Sequence, residues 1–438
     1  MRRLYTLLLY LSLPLIVPAM ALRAWRERSG VAGWRQRFGF GAQRAGGGIW
    51  VHAASVGEAQ AAAILIEALR ALPRSPGEIT LTCMTATGRA RARALLPDIE
   101  VRYAPYDLPG CVRRTLQRLR PRLLIVVETE LWPNLLHQAA HAAVPILLAS
   151  ARISPRTTRW YQRLAGLLQP ALHDQVSVAA QSAADAERFL QLGVPPERVQ
   201  VSGNLKFDRA VAVDLPARGA ALRARYAPAR PLWVAGSTQE GEEPIVLSAH
   251  RQLRERLPQA RLVLAPRYPQ RFDAVVALVQ AAGLGVARRS RPQEQQPYEV
   301  LVLDSLGELM DFYAAADLAF VGGSLVPIGG HNLLEPASLG LPVLSGPYQF
   351  NSPDIARALR ECGALTTVAD ASSLAAALIR LMGDPELRAR EGRGARAAIE
   401  ANRGALARLV DAVETLAPTA AAAASSPGAA AGFRSASH

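Results

Sequence analysis

Ile49-Trp-Val-His-Ala-Ala-Ser-Val-Gly-Glu58 reads as an apolar strand that runs into a turn of small residues, after which a helix opens near Gly57 and Glu58. The same strand–turn–helix unit recurs along the chain. Runs rich in Val, Ile and Leu stand at Ile49–Ala53, 79–84, Leu123–Val127, 146–149, Val176–Ala180 and 199–202. Runs without polar alternation are what strands covered on both faces require. Segments 58–72 and 183–192 between them carry helical patterning. Alternation of strand and helix predicts a parallel, doubly wound α/β sheet.

Around 209–230 the pattern breaks into Ala, Arg and Pro and reads as a linker. Alternation restarts at 232–235, 262–264, 300–303, Leu318–Val321 and 343–344. The organisation expected is therefore a Rossmann-like domain over 23–208, a linker over 209–230 and a second Rossmann-like domain over 231–416. From 417 to 438 the chain is mostly Ala, Ser, Pro and Gly, a composition that cannot bury a core and predicts a disordered tail. In doubly wound domains ligands sit outside the carboxyl ends of the strands, so two such domains are expected to face a cleft.

At 438 residues the chain is long enough for two cores of this kind. Its net charge of +14 suits an anionic membrane face, an acidic substrate or nucleic acid. No nucleic-acid motif and little aromatic interleaving are present, so nucleic acid is not an expected partner. Nearly all the positive charge is arginine, and Lys206 is the one lysine. A lysine kept in such a background is a candidate for chemistry that needs a compact ammonium, or else a chance remainder. Three widely spaced cysteines and the lack of a Cys-x-x-Cys pair suggest neither a disulfide framework nor a zinc site.

Residues 4–22 form an uncharged, mostly apolar run interrupted by Pro14 and Pro18. Arg23, Arg26, Arg28, Arg35 and Arg37 follow it, against Arg2 and Arg3 before it. Residues 1–22 are therefore expected to be an N-terminal membrane anchor, with the body of the protein on the cytoplasmic side. A signal peptide ending near Ala19-Met20-Ala21 is the alternative.

Several constellations fall just after strands. Glu58, at a helix start, can take a proton from a hydroxyl nucleophile or can complement the helix dipole. In Val127-Glu-Thr-Glu-Leu-Trp-Pro-Asn134 a strand ends on Glu128 and Glu130, the first suited to orienting a cation and the second to capping a helix. Arg152, Arg156, Arg159 and Arg163 recur at helical spacing, a face for phosphates or a solvated face. Val201-Ser-Gly-Asn-Leu-Lys-Phe-Asp208 sets Lys206 immediately after a strand, where it can stabilise developing negative charge. In the second domain Ala265-Pro-Arg267 offers Arg267 to a phosphate. Gly322-Gly-Ser-Leu-Val-Pro-Ile-Gly-Gly-His-Asn-Leu-Leu-Glu335 combines two glycine pairs with a helix expected near Asn332. That pattern suits a phosphate, with Glu335 accepting from ribose hydroxyls. No Asp-x-Asp occurs, so nothing calls for a metal-carried diphosphate.

His-Ala-Ala-Ser-Val-Gly-Glu, Glu-Thr-Glu-Leu-Trp-Pro-Asn, Gly-Asn-Leu-Lys-Phe-Asp and Gly-Gly-His-Asn-x-Leu-Glu stand in this order. Together they resemble the 3-deoxy-D-manno-octulosonic acid (Kdo) transferases over roughly residues 1–415. The resemblance implies a GT-B glycosyltransferase fold, CMP-Kdo as donor, the anionic lipid IVA as acceptor, and inversion without metal or cofactor at the cytoplasmic face of the inner membrane. It makes Glu58 the proton acceptor and Glu128 and Lys206 transition-state stabilisers. CMP contacts then fall on Pro266, Arg267, Leu306, Gly307, Glu308, Asn332, Leu333, Leu334 and Glu335. Ala86, where a proline is expected, and the Ala-rich tail depart from the pattern. A nucleotide-sugar epimerase of the same fold and a non-catalytic basic membrane protein are the alternatives.

Overall fold

The computed structural model describes residues 2–26, 30–73, 77–128, 130–163, 165–291 and 297–417. The chain divides into two compact units. One comprises residues up to Arg209 together with the segment from Arg403, the other Ala210–Asn402.

The first unit is built on a sheet of β1 (Ile49–Ala53), β2 (Ile79–Cys83), β3 (Glu100–Tyr103), β4 (Leu123–Val127), β5 (Ile146–Ala151), β6 (Val176–Ala180) and β7 (Val199–Val201). Their order is β3-β2-β1-β4-β5-β6-β7, and every pairing is parallel. The chain winds outward from β1 to β3, then returns to lay β4 on the other side of β1. That reversal is the point where a doubly wound sheet opens at its carboxyl edge. Along β1, Ile49, Val51 and Ala53 enter one core with helix Val56–Ala71, while Trp50 enters another on the opposite face. Burial on both faces is why the run reads as continuously apolar. Strand β3 escapes that pattern because it buries Arg102, whose Nε lies 2.5 Å from Glu100 Oε1. The departure at Ala86 is structurally mild. Ala86 is the first residue of helix Ala86–Leu95, behind the Thr85 cap, where proline is merely favoured.

The second unit holds β8 (Leu232–Thr238), β9 (Arg261–Pro266), β10 (Val286–Arg288), β11 (Val300–Val302), β12 (Leu318–Val321), β13 (Val343–Ser345) and β14 (Leu365–Thr367). The order is β10-β11-β9-β8-β12-β13-β14, again parallel throughout. Its reversal lies between β8 and β12.

Two expectations about organisation change, and those for the anchor and the tail fall partly or wholly outside the described residues. Helix Ala405–Leu416, expected in the second domain, packs on the first. Leu409 and Val413 are buried in the same core as Leu65 and Leu69. Gly404 provides no side-chain cap, and the Asp208 carboxylate accepts from Gly404 N–H (2.8 Å) and Leu406 N–H (3.0 Å) instead. An amphipathic helix declares one apolar face but not which core it fills. The expected linker contains helix Leu215–Tyr226, which belongs to the second unit. Leu215 and Tyr226 are buried, and Arg223 bonds Ala315 O and Asp317. Its three arginines hid it. The expected anchor is helix Arg2–Arg26, of which residues 15–26 have side chains outside the described set, as do those at 27–32 with Arg28 among them. Among the described residues no helix is long and apolar enough to cross a membrane. Tyr5, Thr6, Tyr10 and Ser12 dilute the run, and Tyr5 and Thr6 bond back to Asp107 and Asn134 of the first unit. The tail lies, beyond Ala417, outside the described residues.

Two consequences can be measured. Leu409→Ala removes a fully buried side chain from the first core, and its urea midpoint should drop by the equivalent of about 2–5 kcal/mol. A surface-like effect below about 0.5 kcal/mol would remove the helix from that core. His52 is also buried in β1, and burial pushes its imidazole from 6.5 down to about 4. The folded state keeps it neutral, whereas the unfolded chain takes up a proton below about pH 6.5. Stability is therefore lost as pH falls from about 6.5 towards 4, by up to about 3 kcal/mol. His52→Gln should shrink the loss of urea midpoint between about pH 7 and pH 4.5; an unchanged slope assigns the acid sensitivity elsewhere.

Candidate active site

Ser55 caps helix Val56–Ala71, and Glu58 is the third residue of that helix. Ser55 Oγ accepts from Glu58 N–H at 3.5 Å and donates to Glu58 Oε1 at 2.8 Å, while Ala54 N–H donates to Oε2 at 2.6 Å. This is a capping box shifted by one residue. The carboxylate suited to accept a proton is thus also a helix cap. Burial pushes the Glu58 carboxyl above its ordinary 4.5, the hydrogen bonds from Ser55 and Ala54 oppose this, and the charges of Glu128 (raising) and Lys206 (lowering) both reach it. A raised carboxyl is a better match for proton abstraction near neutrality. A side chain at Gly57 would meet nothing within 4 Å, so the space over this turn is open.

Lys206 Nζ lies 2.7 Å from Glu128 Oε1, and Arg152 Nε lies 3.5 Å from Oε2. Glu128 takes a left-handed φ of +60° at the end of β4. A strained residue of this kind persists only where its surroundings hold it. Lys206 sits on the single turn Leu205–Asp208. Asn204 Oδ1 accepts Lys206 N–H at 3.0 Å and Ser150 Oγ accepts Leu205 N–H at 3.2 Å. Strand ends β4, β5 and β7 thereby converge on one ion pair.

Glu130 was expected to cap the following helix. It does not: Trp132 Nε1–H donates to Glu130 Oε2 at 2.6 Å, and the Trp132 ring meets His52 edge-on at 4.7 Å. The cap of helix Pro133–His141 comes from Asp107. Burial raises the Glu130 carboxyl despite the Trp132 bond, and the charges of Glu58 and Glu128 add to it. Glu130 therefore joins the same acidic group. Arg156, Arg159 and Arg163 stay exposed on helix Pro155–Arg163, and a surface cavity of about 610 Å³ is lined by Arg159, Gln162 and Arg188.

In the second unit the first glycine pair is already occupied. Glu242, fully buried, accepts from Gln239 N–H (2.8 Å), Gly323 N–H (2.7 Å), Ser324 N–H (2.9 Å) and Leu325 N–H (2.9 Å). Gly323 has φ +69°, and a Cβ there would stand 2.8 Å from the His331 ring. His331 Nε2 meets Gln239 Nε2 at 2.9 Å, and burial pushes its imidazole down to about 4. The second pair, Gly329 and Gly330, has φ +104° and +79°. The helix expected near Asn332 is the short Leu334–Ser338, and Asn332 Oδ1 accepts Leu334 N–H at 3.2 Å. Leu333 and Leu334 have buried side chains, so only their backbone can face a ligand. Pro266 ends β9, and Arg267 N–H donates to Thr238 O at 3.0 Å. Leu306 is exposed and Gly307 left-handed, but Glu308 is engaged by Arg289 Nη2 at 2.6 Å. Among the described residues no three His, Cys, Asp or Glu side chains gather as metal ligands would.

Sequence reasoning noted the acid pair Glu242-Glu243, just after a strand and ahead of an apolar helix, without a role for it. It missed Asp107 and the pairing of His52 with Trp132, which left no signal.

A family model described as 3-deoxy-D-manno-octulosonic-acid transferase (kdotransferase) matches residues 32–209, and one described as glycosyl transferases group 1 matches residues 239–398. The chain is 40% identical over 369 residues to a 3-deoxy-D-manno-octulosonic acid transferase of Haemophilus influenzae, covering 83% of this chain and 86% of the relative. It is also 40% identical over 383 residues to that of Bordetella pertussis, covering 84% and 86%. Among solved structures, UDP-GlcNAc 2-epimerase from Neisseria meningitidis superposes with TM-score 0.59 at 14% identity, over 84% of this chain and 100% of that one. At that identity the likeness is one of fold, and with the group 1 match it supports the GT-B architecture. Matches of this extent and identity establish that the chain belongs to the 3-deoxy-D-manno-octulosonic acid (Kdo) transferase family, glycosyltransferases of lipopolysaccharide biosynthesis.

Proposed function

We propose that this chain transfers Kdo from CMP-Kdo to a hydroxyl of lipid IVA, with inversion at the anomeric carbon and Glu58 as general base. The observation that carries this reading is the acidic group around one ammonium: Glu58 raised by burial, within electrostatic reach of the Glu128–Lys206 pair. The lipid hydroxyl attacks the anomeric carbon and gives its proton to Glu58. The bond from that carbon to the phosphate oxygen breaks, and CMP leaves with the electron pair. Lys206, held by Glu128, stabilises negative charge as it builds. Pro266, Arg267, Leu306, Gly307, Glu308 and the stretch from Asn332 to Glu335 form the CMP subsite. Arg267 and backbone N–H groups suit the phosphate, and Glu335 suits the ribose. Glu308 then serves through its pair with Arg289. Exposed Arg156, Arg159 and Arg163 suit the acceptor's phosphates.

The same reading puts the protein on the cytoplasmic side of the inner membrane. Leu4, Leu7, Leu8 and Leu11 are 54–65% exposed at helical spacing on helix Arg2–Arg26, behind Arg2 and Arg3. An exposed apolar stripe with basic residues suits a helix lying in the headgroup region of an anionic bilayer.

Incubation with CMP-Kdo and lipid IVA should release CMP only when the lipid is present, with a matching gain in lipid mass; release without acceptor dependence would sink the transferase reading. Glu58→Gln should keep CMP binding and lose roughly 10²–10⁴-fold in turnover. Its rate should also lose the acid limb that wild type shows as pH falls through the raised Glu58 value. Turnover near wild type would clear Glu58 of the role. Lys206→Arg keeps the charge but changes its shape, and turnover should fall; full activity would show that any cation suffices beside Glu128.

A further inference from the structure

We propose that Asp107 and Tyr5 are positioning residues, through which the N-terminal helix holds in register the segment that carries Glu130. The inference rests on the transferase reading above.

Helix Pro133–His141 begins without a local cap. Trp132 precedes it with no side-chain bond to the helix, and Pro133 has no N–H to donate. The cap comes from residue 107 instead. Asp107 Oδ2 accepts Asn134 N–H at 3.1 Å and Oδ1 accepts Leu135 N–H at 2.7 Å. The Asn134 amide returns a bond from Nδ2 to Asp107 O at 2.7 Å. A serine or aspartate at position 132 would have supplied the usual helix-capping stabilisation locally. Drawing the cap from a distant loop ties the start of this helix to whatever holds Asp107.

What holds Asp107 is the N-terminal helix. Tyr5 Oη–H donates to Asp107 Oδ2 at 2.9 Å, and Thr6 Oγ1 donates to Asn134 Oδ1 at 3.1 Å. Both partners in the cap are thus bonded by adjacent residues of helix Arg2–Arg26. Asn134 is fully buried, so its bonds have no water to replace them. Immediately upstream, Trp132 leans on His52 and donates to Glu130, and Glu128 holds Lys206. A shift at the helix start is carried through Trp132 to Glu130. The face of the N-terminal helix turned away from these bonds carries the exposed leucines. The element proposed to meet the lipid surface is therefore the one that sets this register.

The test uses the full chain with CMP-Kdo and lipid IVA, and two variants. Tyr5→Phe/Thr6→Val removes only the bonds from the N-terminal helix and leaves the Asp107 cap intact. Its kcat should fall roughly tenfold, with an unchanged KM for CMP-Kdo and a thermal midpoint lowered far less than in Asp107→Ala, which loses the cap as well. Asp107→Ala removes cap and tether together, and should lose kcat and thermal midpoint alike. If the double variant turns over like wild type while Asp107→Ala loses only stability, Asp107 is a helix cap and the inference is wrong. If wild type itself shows no acceptor-dependent CMP release, the transferase reading fails first, and the register claim with it.

Discussion

The ion pair between Lys206 and Glu128 is the constraint on which the first unit's site depends. It joins the end of β4 to the turn beyond β7, across two intervening strands of the sheet. Each partner is itself held. Glu128 stands in a left-handed conformation that a non-glycine residue tolerates only under restraint, and Lys206 is set by Asn204 and Ser150. Two residues further on, Asp208 caps the helix that returns from residue 404 to close the core beneath Glu58. A short loop therefore does two jobs. It presents the ammonium, and it anchors the chain's last described helix. A lysine is the economical choice for the first job, because a compact point charge can sit between carboxylates without the planar fit that a guanidinium demands.

The second unit uses a buried carboxylate in a different way. Glu242 satisfies four backbone N–H groups from two loops. Amides converging in this fashion make an anion site, and here the anion is the protein's own. The loop after β12 is thereby fixed before any ligand arrives. Its second glycine pair packs closely on the segment after β13, where Asn351 donates to both Gly329 O and Gly330 O, and the His331–Gln239 contact holds the residue that follows the pair. Burial keeps His331 neutral at physiological pH, so it contributes shape and hydrogen bonding rather than charge.

Much of this was legible in the residues. The apolar run at β1 and its repeats specify a doubly wound sheet, because a strand covered by helices on both faces cannot alternate. Glu128 and Lys206 stood out because an acid and a lone lysine directly after apolar strands are odd as structure, whereas Glu58, at a helix start, suited the helix dipole as well as proton abstraction until the family motif singled it out. Edge strand β3 was illegible because Arg102 and Glu100 satisfy each other inside it, an arrangement that apolar patterning cannot show. Helix Leu215–Tyr226 was hidden by its arginines, and Glu130 was misassigned because the true cap lies at residue 107.

Strand periodicity, glycine placement and residue chemistry are local properties, and the sequence by itself determined what depends on them: two parallel α/β units, turns after strands that carry the reactive groups, and the family those motifs mark. Only the tertiary structure decided which groups meet. That Asp208 caps a helix nearly two hundred residues away, that Glu242 rather than a ligand fills the first glycine loop, and that Asp107 links the N-terminal helix to the segment before Asn134 are all long-range hydrogen bonds. Their partners are chosen by packing, because a buried polar group must take whichever donor or acceptor the fold brings within about 3 Å.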